Sequence, residues 1–186
     1  MSLKPYIVLV RILFISSLFY GFFTPPRNGN ELKMFEIFKV VIEHDESLLS
    51  FAIVIFINNI RTSMISILLG PTLIVPAAIT IFNGVLIGQS IAIFTAENKS
   101  ITDALLLIIP HGVIELTAFT LSNSLGLMLG TLAFKKYIFK KKDISLLHEF
   151  SKIIAYVKLI IILLIIAAFI EAYITLTLAY MFNLVS

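Results

Sequence analysis

Five stretches of this chain, 6–23, 48–69, 72–94, 104–134 and 153–180, are apolar over lengths close to or beyond the roughly 20 residues a helix needs to cross a bilayer. Few other features limit a fold so strongly. Hydrocarbon holds no water to satisfy backbone N–H and C=O groups, so a spanning segment must bond internally as a helix or close into a barrel. The runs are continuous rather than alternating with a period of two, so they read as helices. Charge supports this: only 13% of the residues are charged, against about a quarter in a soluble domain. The expectation is an all-α protein, a polytopic transmembrane helical bundle of about five spans. It forms a single integral membrane domain over residues 1–186, since no linker is rich enough in Gly, Ser or Pro to divide it. Cysteine is absent, which removes disulfides, thiolate catalysis and Cys-ligated metals. No nucleic-acid motif accompanies the net charge of +3. The expected partners are therefore the lipid bilayer and other membrane proteins, with no nucleic acid.

Between the spans the sequence is less apolar. The first run ends in bulky Tyr20, Phe22 and Phe23 rather than a small-residue cleavage site, which predicts a retained helix and not a signal peptide. Thr24 to Gly29 breaks it. Residues 31–43 predict a short amphipathic outer helix, with Met34, Phe35, Phe38, Val41 and Ile42 opposite Lys33, Glu36, Lys39 and Glu43. Its mixed charges suit a connector folded over the bundle. His44 falls in an acidic loop and reads as solvated, and Asp45 or Ser47 is placed to cap the second span. Gly70-Pro71-Thr72 predicts a tight turn, Pro76 a kink, and Pro110-His111-Gly112 a bend or break. The lysines from Lys135 to Lys152 mark the 135–152 loop as cytoplasmic. Counting back through the crossings puts the N-terminus there too, in a multi-pass cell-membrane protein.

Polar residues inside the spans carry the functional question. His111 and Glu115 are four apart and share a helix face, which continues through Ala118, Ser122, Gly126 and Gly130. That stripe of small residues predicts close helix packing. The opposite face, Ile114, Phe119, Leu121, Leu125 and Leu129, is expected to meet lipid. The second span carries Asn58, Asn59 and Arg61, with Asn59, Ser63, Ser66 and Gly70 at helical spacing. The third carries Asn83 ahead of the packing pair Gly84 and Gly88, and the fifth carries Glu171. At about 1.5 Å per residue, Glu115, Glu171 and Asn58 fall ~14–16 Å from the outer ends of their helices and Arg61 ~20 Å. These depths predict one polar cluster of His111, Glu115, Glu171, Arg61, Asn58, Asn59 and Asn83. In it Arg61 compensates one glutamate, its alternative being to snorkel to the inner face, and the other glutamate is protonated, paired with His111 or on a cation.

Three readings use such a cluster. Ranked first is glue inside a non-enzymatic scaffold or subunit of a membrane complex. Second is a proton, ion or solute site of a channel or transporter. Catalysis comes last, because HExxH and a serine nucleophile elbow are both absent. No catalytic residue, cofactor or metal is assigned. The small-residue stripes leave surface for a homo-oligomer.

The chain resembles the stage II sporulation protein M-like integral membrane proteins. The resemblance runs through Asn58-Asn59, Gly70, Pro76, Asn83-Gly84, Gly88, Pro110-His111-Gly112, Glu115, Ala118, Gly126, Gly130 and Glu171-Ala172. Order and spacing agree from about 48 to 175, and the Pro-His-Gly-x-x-Glu element is the specific part. The resemblance implies a helical protein of about five spans. The family's namesake is a membrane anchor and scaffold for a cell-wall-degrading complex during engulfment. The resemblance implies no substrate, cofactor or catalytic residue.

Overall fold

The computed structural model describes residues 2–25, 47–96, 99–140 and 146–182. Helix α1 is Lys4–Phe23, α2 Leu48–Leu68, α3 Ile74–Ala96, α4 Ile101–Tyr137, α5 Leu146–Phe169 and α6 Leu176–Met181. A 3-10 turn, Gly70–Thr72, joins α2 to α3, and a π-helical segment, Ile170–Thr175, joins α5 to α6. The last three pieces form one fifth span. Five helices are long and apolar enough to cross a membrane, and no strand occurs among the described residues. The outer helix expected over 31–43, together with His44 and Asp45, lies outside the described residues. Ser47 sits at the start of α2 but makes no side-chain cap.

Local chemistry sets the helix boundaries. Ser100 accepts from the Asp103 backbone N–H at 3.1 Å, and Asp103 accepts from the Ser100 N–H at 3.0 Å. This capping box satisfies two N-terminal donors reciprocally, so α4 starts before residue 104. Lys135 and Lys136 occupy its last turn, where cations complement the helix dipole. Its 37 residues span about 55 Å at the α-helical rise. Pro110 lies inside this helix without breaking it. One backbone bond is lost there, but packing against other helices fixes the axis on both sides. Pro76 is the third residue of α3. First-turn N–H groups have no intrahelical acceptor, so the cause expected for a kink is missing at that position.

Helix α4 is the hub and touches every other described element. From Ser122 to Gly130 it is buried on all sides. The lipid face expected for this helix is thus corrected: Leu125 is 0% and Leu129 4% exposed. Leu125 packs into a core with Ile67, Met128, Leu132, Ile160 and Leu164. The polar link across this core is Ser66, which donates to Asn123 Oδ1 at 2.8 Å while Asn123 Nδ2 donates to the Phe119 carbonyl. Asn123 was not singled out in the sequence.

Two glycine contacts fix how the helices pair. A Cβ at Gly84 would meet Ser17 and the Phe14 carbonyl, and one at Gly88 the Leu18 carbonyl and Phe22 N. Residue numbers rise together along both helices, so α1 and α3 run parallel. The start of α1 and the Gly70 turn therefore lie at the same end of the bundle. At that end a Cβ on Gly126 would meet the Ser66 carbonyl, and one on Gly130 the Gly70 carbonyl and Leu73. Leu73 is held at φ 59°, a region costly for a non-glycine residue and retained only where packing over-determines it.

Candidate functional site

The site begins with a histidine that has a polar neighbour beside each ring nitrogen. His111 Nε2 lies 3.9 Å from Glu171 Oε2, and Nδ1 lies 3.0 Å from Thr175 Oγ1. Glu171 and Thr175 both belong to the π-helical segment. A π turn closes on i+5 instead of i+4, and single π turns recur at functional sites. Here the widened turn places one residue against each nitrogen of the imidazole. Glu115, one turn along α4 from His111, completes the group. Each of His111, Glu115 and Glu171 offers one ligand atom within 4.8 Å of the others. His111 and Glu171 side chains are 12% and 14% exposed, so the group is mostly withdrawn from the surface.

Glu115 also borders a polar pocket of about 30 Å³, space for a water or two. Asn59, Thr62, Ser63 and Asn83 line it, with Asn58 at its edge and Phe119 and Leu164 as apolar wall. Asn83 donates to the Ile79 carbonyl at 2.8 Å, which fixes its amide against α3. The carboxyl of Glu115 is the joint between this pocket and the histidine.

Of the predicted cluster, the structure brings His111, Glu115 and Glu171 together. Asn58, Asn59 and Asn83 line the same pocket as Glu115, and Asn58 is exposed. Arg61 is elsewhere: it is exposed and makes no ion pair among the described residues. Its expected role of compensating a glutamate is therefore corrected. At about 100° per residue, Arg61 is turned some 160° from both Asn59 and Ser63, which face inward. Thr175 is a site residue outside the predicted cluster, although its place four residues after Glu171 is a same-face spacing. Gly84 and Gly88 meet α1, while Gly126 and Gly130 meet the end of α2 and the Gly70 turn. None of the four touches the polar site.

With this geometry in place, comparison with known proteins becomes informative. The family model for Stage II sporulation protein M matches residues 7–176, a range that holds the whole His–Glu–Glu group. The chain belongs to that family. A curated relative, an uncharacterized protein of Methanocaldococcus jannaschii, is 38% identical over 96 residues, which is 51% of this chain and 53% of the relative. The match thus spans about half the relative's length. No solved structure matches the chain.

Proposed function

We propose that the protein handles a proton or cation inside the membrane, as a channel, transporter or transporter subunit, with His111, Glu115 and Glu171 as its site. The observation that carries this reading is two carboxyls and an imidazole gathered from two spans within 4.8 Å, with Arg61 turned outward. Adhesion in this bundle has other means, the glycine contacts and the Ser66–Asn123 bond. Ionisable groups at membrane depth are costly and mark ion and proton paths. The adjoining polar pocket extends such a path toward Asn59 and Asn83.

The test is flux into proteoliposomes, read with proton-, sodium-, potassium- and divalent-sensitive dyes. The expected result is flux of one species above protein-free vesicles. Glu115→Gln, Glu171→Gln and His111→Ala should each lower it about tenfold or more, equivalent to ~1.4 kcal/mol at the barrier, while Arg61→Gln leaves it unchanged. Absence of flux for every species, or flux indifferent to all three substitutions, defeats the reading.

A second reading, a non-enzymatic scaffold or complex subunit, draws on the exposed Arg61 and Asn58 on the outer side of α2. A guanidinium facing out of a span takes an anion from elsewhere, a lipid phosphate by snorkelling or a partner's carboxylate. Under this reading Arg61→Ala lowers recovery of a cross-linked membrane partner. In both readings the N-terminus and the 135–152 loop are cytoplasmic.

A further inference from the structure

We propose that His111, Glu115 and Glu171 bind one divalent first-row metal ion, zinc or manganese in class, rather than sodium or protons alone. This rests on the reading of the group as a cation site but names its occupant. Charge balance fits a dication: with both carboxyls ionised and the imidazole neutral, M²⁺ makes the site neutral, whereas a monovalent ion does so only when one carboxyl keeps its proton. Donor type agrees, since imidazole suits zinc and its neighbours, and carboxylate suits manganese and magnesium.

Geometry supports the same occupant. The 3.9 Å between His111 Nε2 and Glu171 Oε2 is too long for a hydrogen bond. Ligands at 2.0–2.2 Å from a tetrahedral ion sit about 3.4 Å apart. A contraction of up to about 1.4 Å closes all three donors, which are within 4.8 Å, onto one ion. The other face of the ring is already set. In the tautomer that carries its proton on Nδ1, His111 donates to Thr175 Oγ1 at 3.0 Å and Nε2 is left with a lone pair on the Glu171 side, the second-shell arrangement typical of metal-bound histidine. Of the three donors, Glu115 also borders the polar pocket, which has room for a water near the ion.

The experiment uses the full chain in lipid nanodiscs, stripped with a chelator and reloaded with zinc alone, manganese alone, magnesium alone or sodium alone. The expected result is about one zinc or manganese per chain by elemental analysis, a single-site occupancy, with magnesium and sodium failing to compete. X-ray absorption should show one nitrogen and two or three oxygens at about 2.0–2.2 Å. Glu171→Gln and His111→Ala abolish this occupancy, and Thr175→Val weakens affinity about 10- to 100-fold while leaving one site. If a variant does not fold, the rise in wild-type melting temperature on adding zinc or manganese carries the test. Substoichiometric metal, absorption spectra without nitrogen, or occupancy indifferent to Glu171→Gln overturns the proposal. Metal-independent proton flux refutes this inference and leaves the transport reading intact. One bound ion without any flux does the reverse.

Discussion

At the scale of single residues, the fold separates polar groups that hold helices together from polar groups that do not. Ser66 and Asn123 are both fully buried and bonded to each other. Bonds of this kind in membranes average about 0.6 kcal/mol and reach about 1.7. A double-mutant cycle of Ser66→Ala and Asn123→Ala, read by reversible unfolding in mixed detergent, should return a coupling in that range. A value near zero would mean that the pair is not joined. Arg61→Ala is expected to shift the stability of the isolated chain by less than about 0.5 kcal/mol, as for a surface change. The contrast shows what was legible. That polar residues sit within the second span is plain from its letters. Which way each one points depends on helical phase, and Arg61 lies two positions from both Asn59 and Ser63, opposite their stripe. That phase was available in the sequence. Asn123 was harder to see, because the Ser122-Asn123-Ser124 run gives no cue to a partner on another span.

At the scale of elements, spans and boundaries were legible from apolar length, because the bilayer imposes it. The π segment was not. The segment packs against α2 and α4, and no residue in Ile170–Thr175 demands a π register. Glycines likewise announce close approach without naming the neighbour. Gly84 and Gly88 face backbone atoms of α1, which cannot rotate away as a side chain can. Gly88→Ala should therefore cost about 1–3 kcal/mol, the usual penalty of overpacking. Gly112 sits in the family's Pro-His-Gly element, yet a Cβ there would meet only Ile108 Cγ2 at 3.2 Å, a movable side-chain atom on the same helix. Gly112→Ala should fall within about 0.5 kcal/mol of wild type. Thermal unfolding of both variants in one detergent makes the comparison, and equal losses would contradict this assignment of neighbours.

For the whole molecule, the parallel pairing of α1 with α3 ties the start of the chain to the Gly70 turn. Helix α4 runs from the opposite end back to that side, where Gly126 and Gly130 receive the turn. Residues 137–140 continue beyond. The contacts thus put Ser2, Thr72 and Lys140 at one end of the bundle and Thr102 at the other. The orientation proposed above puts the end with the lysines after Lys135 in the cytoplasm, since basic loops stay inside. The chain has no cysteine, so single cysteines can be introduced without background. Ser2, Thr72, Thr102 and Lys140 are all exposed, which suits each for labelling. In sealed right-side-out cells, a membrane-impermeant maleimide should label Thr102→Cys alone, and permeabilisation should add the other three. Labelling of Ser2→Cys and Lys140→Cys from opposite sides would break the five-span arrangement itself. Labelling of all four with inverted sidedness would preserve the bundle and reverse only its orientation. The second outcome would also turn the His111 site around, so that any ion entering through the pocket beside Glu115 approaches from the other compartment.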